Sequence, residues 1–207
     1  MPHVVLLGDS IFDNGVYVPE GLPVIEQLRA VLADDWSATL LAVDGDVTTD
    51  VHAQLQKMPA DASHVVVSCG GNDALGHLSV LDEKVANISQ ALERFATIRQ
   101  EFRSKYKAML EAVTAYAYPT AVCTVYDCVP GLKPSQQAAL SMFNEVILRE
   151  AIEADVALID LRLVCNEPSD YSKLSPIEPS QQGGEKIVKV IRALVTNQIG
   201  QTTRILA

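Results

Sequence analysis

Two short motifs of small and polar residues stand where the chain would leave a sheet. Positions 8–10 read Gly-Asp-Ser and positions 70–73 read Gly-Gly-Asn-Asp, and each motif follows an apolar run of strand length. Glycine allows tight turns that expose backbone N–H groups, while Ser, Asn and Asp side chains bond readily to nearby backbone. One motif alone is explained by a turn of the chain, but two that converge on one crevice indicate a ligand site.

The motifs must be positioned by five apolar runs of strand length. These runs alternate with segments of helical spacing and are rich in Val, Leu and Ile without polar alternation, which is typical of parallel strands covered on both faces. The pattern predicts an α/β fold, with helices on both sides of a parallel sheet. If the strand order is 2-1-3-4-5, strands one and three are neighbours and their motifs share a crevice at the carboxyl ends. The runs are Val4 to Leu7, Ala38 to Val43, His64 to Ser68, Thr120 to Tyr126 and Val156 to Leu161.

Two further features concern the helices. The stretch from Leu78 to Tyr116 contains neither Pro nor Gly and is much longer than an average helix, so it predicts one long helix or a helix pair. Ser180 precedes the last segment of helical spacing and is expected to cap it.

The composition and length of the chain indicate its class of partner, its domain count and its cellular location. The 207 residues carry a net charge of -10 without a cluster of Lys and Arg, so nucleic acid is not an expected partner. The length favours a single domain over residues 1–207. The opening residues show no basic segment or cleavage site, and no apolar stretch is long enough to cross a bilayer, so we expect a cytoplasmic protein.

The order of the motifs resembles that of the SGNH (GDSL-type) serine hydrolase family, which is defined by four sequence blocks. Residues 8–14 fit the first block, Gly45 follows the second strand as the glycine of the second block, and residues 70–73 fit the third block. The resemblance spans nearly the whole chain. It implies a three-layer α/β/α fold with a five-stranded parallel sheet in the order 2-1-3-4-5.

The resemblance also implies roles for individual residues. Ser10 would be the nucleophile that attacks an ester carbonyl. The backbone N–H groups of Ser10 and Gly45 and the side-chain amide of Asn72 would form the oxyanion hole. Asp9 and Asp73 are expected to support the turns by bonding to backbone N–H groups, without acting on the substrate.

The fourth block departs from the family pattern of an Asp, two residues, a His and often a Pro. Alignment on Pro179 and the glycine that follows places Glu178 at the histidine and Ser175 at the aspartate, and no histidine lies C-terminal of His77. The usual Ser-His-Asp relay therefore cannot form in its usual positions. A glutamate is a workable base if burial beside Asp9 or in an apolar pocket raises its pKa from about 4.3 to about 6 or 7.

The leading hypothesis is a hydrolase that acts on a small ester or acyl group through Ser10, with Glu178 as general base and Ser175 orienting it by a hydrogen bond. The chief alternative is a weakly active or inactive pseudoenzyme that binds a small anionic or sugar ligand in the same pocket. His77 is a second candidate base, because it follows the third strand.

A third and weaker hypothesis places a divalent cation among Asp9, Asp73 and Glu178. The leading interpretation needs no cofactor and no metal. Esterases, thioesterases, arylesterases and carbohydrate deacetylases share the family fold, so the resemblance does not choose a substrate, and it does not give an oligomeric state.

Overall fold

A computed structural model describes residues 1–197 of the chain. Five strands form one sheet in the order β2-β1-β3-β4-β5, and every neighbouring pair is parallel. This confirms the predicted α/β class, the strand count and the strand order. The strands are β1 (His3–Gly8), β2 (Ser37–Leu40), β3 (His64–Ser68), β4 (Thr120–Cys123) and β5 (Ala157–Ile159).

Helices connect the strands as crossovers and cover both faces of the sheet. Short 3-10 turns at Gly15–Tyr17, Thr48–Asp50, Leu78–Asp82 and Pro168–Asp170 lie in the loops. The α-helices are α1 (Val24–Val31), α2 (Val51–Leu55), α3 (Gly71–Gly76), α4 (Ile88–Thr114), α5 (Pro134–Glu153), α6 (Leu161–Val164) and α7 (Gln181–Val195). No helix within residues 1–197 is long and apolar enough to cross a membrane.

The apolar residues of β1 divide between the two faces because successive side chains of a strand point to opposite sides. Val4 and Leu6 join a buried cluster with α1 and α7, whereas Val5 and Leu7 join a second cluster with α2, α4 and α5. The sheet is thus the middle layer of three, which explains why its strands lack polar alternation.

The segment predicted as a long helix or helix pair forms a 3-10 turn followed by the 27 residues of α4. Asn87 sets the start of α4, because its side chain accepts a hydrogen bond from the N–H of Gln90 at 3.0 Å. Ser180 caps α7 as expected, accepting from the N–H of Gly183 at 3.2 Å.

The carboxyl ends of β1 and β3 meet through a close backbone approach. Gly8 has a φ of 120°, and a Cβ atom there would collide with the carbonyl oxygen of Ser68. Only glycine fits this position without strain. The N–H of Asp9 then donates to the same carbonyl at 3.0 Å, so the two motifs begin at one point of the sheet edge.

Candidate active site

Ser10 is buried at the carboxyl end of β1, in the turn that follows Gly8. Asp9 supports this turn as expected, since its Oδ1 accepts from the N–H of Ile11 at 3.1 Å. Ser10 and Asp9 both line a pocket that extends from the sheet edge. The serine hydroxyl therefore faces a space that can hold a ligand.

Asn72 and Asp73 lie in the first turn of α3 and bind the loop that carries Gly45. Nδ2 of Asn72 donates to the carbonyl of Asp46 at 2.9 Å. Oδ2 of Asp73 accepts from both the N–H and the hydroxyl of Thr48, at 2.9 and 2.8 Å. Asp73 thus supports backbone as expected, and the two side chains fix the Gly45 loop against the end of β3.

Gln54, on α2, joins the turn of Ser10 to the same loop. Its side chain is 2% exposed. Its Oε1 accepts from the N–H of Gly8 at 2.8 Å, and its Nε2 donates to the Gly8 carbonyl at 2.7 Å and to Oδ2 of Asp46 at 2.8 Å. One buried amide therefore sets the spacing between the residues flanking Ser10 and those flanking Gly45.

The loop of Glu178 is held by hydrogen bonds to consecutive backbone groups. The Tyr126 hydroxyl donates to the carbonyl of Ile177 at 2.6 Å, and the Ser172 N–H donates to the carbonyl of Glu178 at 2.8 Å. Nδ2 of Asn14 donates to the carbonyl of Pro179 at 3.1 Å. A loop with so many satisfied backbone groups presents its side chain in a defined place.

Glu178 is only 4% exposed and lines the same pocket as Ser10. Burial raises its pKa to about 7, a side-chain hydrogen bond with Ser10 acts in the opposite direction, and the charge of Asp44 adds to the rise. Its Oε2 has no hydrogen-bond partner among the described residues. A carboxyl group that titrates near neutral pH thus lies in the same pocket as Ser10.

A second buried carboxyl group lies beside this pair. Asp9 is 3% exposed, and burial raises its pKa to about 8. The hydrogen bond from Ile11 lowers the pKa, while the nearby charges of Glu178 and Asp73 raise it. Two buried carboxyl groups with raised pKa values therefore share this end of the pocket.

The remaining predicted residues have different positions. His77 lines the pocket, and its ring packs against Phe143 with the ring centres 6.3 Å apart. Ser175 accepts from the N–H of Glu178 through its backbone carbonyl at 3.1 Å. Among the described residues, no group of three His, Cys, Asp or Glu side chains is arranged to hold a metal ion, so the cation hypothesis for Asp9, Asp73 and Glu178 has no support.

The family model of the GDSL-like Lipase/Acylhydrolase family matches residues 6–186. The chain belongs to this family. The match covers the Ser10 turn, the Gly45 loop, the Asn72 turn and the Glu178 loop, so the resemblance inferred from the motifs is confirmed at the level of the family. No curated protein sequence matches the chain.

Solved structures of lipases share the fold of this GDSL-like chain. The lipase Lip_vut3 from a goat rumen metagenome has a TM-score of 0.72 at 20% identity, covering 94% of this chain and 97% of that one. An extracellular lipase from Streptomyces rimosus has a TM-score of 0.67 at 20% identity, with 94% and 100% covered. The lipase/acylhydrolase from Enterococcus faecalis has a TM-score of 0.66 at 19% identity, with 99% and 100% covered. At these identities the likeness shows the fold.

Sequence reasoning missed three residues that hold the site of this GDSL-like protein: Asn14, Gln54 and Tyr126. Asn14 lies within residues 8–14, which match the first block, so the motif itself could have indicated a role for Asn14 near Ser10. Gln54 is a polar residue on the apolar face of a helix, next to the buried Leu55, which is a weaker signal. Tyr126 follows a strand and carries no motif, so only its contact with Ile177 reveals it.

Proposed function

We propose that this protein hydrolyses a small ester or acyl group, with Ser10 as nucleophile and Glu178 as general base. The proposal rests on one observation: a buried carboxyl group with a pKa of about 7 lines the same pocket as the buried serine, which is close enough to influence that pKa. A base is most effective when its pKa lies near the operating pH. Glu178 meets that condition in the place where the family pattern has histidine.

The reaction proceeds in two steps, acylation of Ser10 and hydrolysis of the acyl-serine. The Glu178 carboxylate takes the Ser10 hydroxyl proton while Oγ attacks the ester carbonyl carbon. The bond from carbon to the alcohol oxygen then breaks, and the alcohol leaves with that proton. Water next gives a proton to Glu178 and attacks the acyl-serine, which releases the acid and returns the proton to Ser10. Protonated glutamate is neutral, so no further anion is needed to stabilise it, in contrast with an imidazolium.

The oxyanion of each tetrahedral intermediate would be bound by the N–H groups of Ser10 and Gly45 and by Nδ2 of Asn72. Asn72 uses one of its two amide hydrogens on the Asp46 carbonyl. The second remains to be donated to the oxyanion. Gly45 has a φ of 86°, a backbone conformation that glycine adopts without strain. Loss of one such donor costs about 100- to 1,000-fold in kcat.

The test is hydrolysis of short p-nitrophenyl esters by the parent protein, Ser10→Ala and Glu178→Gln. We expect each variant to lose about four or more decades of kcat, because removal of one member of a catalytic pair stops the relay. Exposed residues supply matched controls in Ser104→Ala and Glu20→Gln, which should leave kcat unchanged. Parent activity that persists in Ser10→Ala would disprove the proposal.

A fluorophosphonate probe gives an independent measure of the nucleophile. Rapid labelling of the parent that is lost in Ser10→Ala and strongly slowed in Glu178→Gln is the expected result. If the parent hydrolyses no ester and takes up no label, the pseudoenzyme alternative describes the protein instead. Labelling that is slowed by His77→Ala, with Glu178→Gln unaffected, would transfer the role of base to His77.

A further inference from the structure

The pocket beside Ser10 is polar at its sheet end and mainly apolar beyond it. Polar side chains from the motifs line the sheet end, including Asp9, Asn72 and Glu178. Beyond it the wall consists mainly of aliphatic and aromatic side chains from three regions: the stretch after α3, the first half of α4, and the start of α5 with the loop before it. The pocket therefore combines one polar corner with an apolar body.

The lining disfavours a charged or a sugar ligand. No Lys or Arg of the described chain lines the pocket, so nothing there would neutralise a carboxylate or phosphate. Beyond the sheet end, the polar side chains of the wall are His77 and Gln136, and Oε1 of Gln136 already accepts from the N–H of Lys133 at 2.8 Å. A sugar ring would leave most of its hydroxyl groups without partners, which is costly.

We propose that this pocket binds the acyl half of the substrate and that the acyl group is an apolar chain of about four to eight carbons. The inference rests on the proposed function, since the acyl group is the part that becomes attached to Ser10. The substrate class is therefore an ester of a short to medium fatty acid, in preference to an acetyl ester.

The size follows from the volume of the pocket. It encloses about 120 Å³. A cavity of about 150 Å³ lined by Leu, Ile and Phe is known to bind benzene, so the present space suits a similar number of carbons. Its inner wall includes the buried Phe143, whereas Leu75 and Leu78 at its rim are 44% and 40% exposed. Carbons beyond about the eighth would lie at this rim in contact with water.

Assignment of the pocket to the acyl half follows from the order of bond cleavage. The alcohol must leave while the acyl group is still attached to Ser10. An alcohol bound against the inner wall at Phe143 could not leave while the acyl chain filled the rest of the pocket. The alcohol is therefore better placed on the open side of the site. The acyl chain, which stays through both steps, gains from the apolar wall.

Chain-length dependence is the direct measurement. Burial of one methylene contributes about 0.8 kcal/mol, which is about a fourfold gain in kcat/KM for each carbon that enters the pocket. With p-nitrophenyl esters, we expect kcat/KM to rise about 250-fold from acetyl to hexanoyl, which adds four carbons, and to stop rising beyond about eight carbons. A parent enzyme that prefers acetyl, or is indifferent to chain length, would overturn the inference while leaving the proposed function intact.

Neighbouring alanines on α5 provide a matched pair of variants. Ala139 lines the pocket, whereas Ala138 is exposed and does not. Ala139→Leu should reduce kcat/KM for the hexanoyl ester by about tenfold or more and change that for the acetyl ester less than threefold. Ala138→Leu should change neither. Equal losses for both esters in a folded Ala139→Leu protein would contradict the acyl assignment.

A variant expected to lengthen the preferred acyl chain distinguishes a change in specificity from misfolding. Phe95, on the first half of α4, is half-buried and lines the pocket. Phe95→Ala should enlarge the space and move the preferred acyl length upward by about two carbons, with little change for the acetyl ester. An unchanged or shorter optimum in this variant would contradict the inference.

Binding without turnover separates the two proposals. In Ser10→Ala protein, affinity measured by calorimetry should rise from acetamide to butanamide to hexanamide, and Ala139→Leu should abolish the rise. If the parent cleaves no ester but binds hexanamide in this way, the pocket assignment stands and the hydrolase proposal fails. If no amide binds and no chain-length trend appears in hydrolysis, the pocket assignment fails.

Discussion

Burial gives Glu178, the proposed general base, a pKa well above that of an ordinary glutamate. A glutamate in water has a pKa about two units below that of imidazole, which is a deficit of about 2.7 kcal/mol in basicity. Here burial raises the pKa to about 7, against the effect of the hydrogen bond with Ser10. The shift covers the whole of this deficit, because burial removes the water that solvates the carboxylate.

The first prediction concerns the pH dependence of the reaction. Only ionised Glu178 can accept a proton, so kcat/KM should fall about tenfold per pH unit below a midpoint near pH 7 and level off above it. Asp44→Asn should lower the midpoint by a fraction of a unit, because the charge of Asp44 raises the pKa of Glu178. Asp34→Asn, at an exposed position, serves as control. A midpoint near pH 4.5 in the parent would refute the role of burial.

At the scale of elements, the side chains proposed to act in catalysis are placed by hydrogen bonds between loops. The loop of Glu178 is bound by Asn14 from the loop after β1 and by Tyr126 from the loop after β4. The loop of Gly45 is bound by Gln54 from α2 and by Asn72 from α3. Each loop therefore depends on side chains from two other elements, which are fixed in turn by the sheet.

The second prediction tests the loop of Glu178. Asn14 is fully buried, and its Oδ1 accepts from the N–H of Val24 at 2.9 Å. Asn14→Asp retains this acceptor but loses the donor to the Pro179 carbonyl, which leaves two oxygens facing each other. We expect kcat to fall about 10- to 100-fold and the free energy of unfolding to drop by about 1–3 kcal/mol. Asn87→Asp, an exposed cap that keeps its acceptor, should change neither.

The third prediction tests the link made by Gln54. Gln54→Glu can still accept from the N–H of Gly8, but its carboxylate cannot donate to the Gly8 carbonyl and repels Asp46. Because the proposed oxyanion donors lie beside both residues, kcat should fall about 10- to 100-fold while KM changes only a few-fold. Gln56→Glu, an exposed change in charge two positions away, should leave both constants unaltered. Equal effects of the two variants would argue against a positioning role.

For the whole molecule, the site has a cost in stability, because it buries two carboxyl groups against one another. Both Asp9 and Glu178 have pKa values raised by burial, to about 8 and about 7. At these two groups the folded state therefore holds more protons than the unfolded state between about pH 4 and pH 8. Their contribution to stability should decline as the pH rises through this range, in contrast to that of carboxyl groups paired with cations.

The fourth prediction isolates the contribution of Asp9. Asp9→Asn keeps an oxygen for the N–H of Ile11 and removes the charge, so the variant should be more stable than the parent at pH 8 by several kcal/mol, with ~5 kcal/mol as an upper limit. The difference should shrink towards zero near pH 4. Urea unfolding across pH 4 to 9 measures it, with the exposed Asp34→Asn as control. A difference that does not depend on pH would show that Asp9 is not titrating in the folded state.

The amino-acid sequence by itself determined the layers of the fold and the order of its motifs. Runs such as His64 to Ser68 specify buried parallel strands, because apolar periodicity is a local property of the chain. The motifs at residues 8–10 and 70–73, at two strand ends, likewise predicted the position of the crevice. Boundaries were less certain: β2 ends at Leu40 and β4 at Cys123, three residues before the predicted ends, since a strand lasts only as long as its neighbours pair with it.

Only the tertiary structure decided the environment of Glu178. The sequence placed this residue at the histidine position of the family pattern but did not show whether its carboxyl group is exposed or buried, and in the fold it is buried in the pocket of Ser10. Burial depends on how the loops after β1 and β4 pack over it, with Asn14 and Tyr126 as their anchors. The pKa of a carboxyl group follows its solvation, so the chemistry of this residue is a property of the folded molecule.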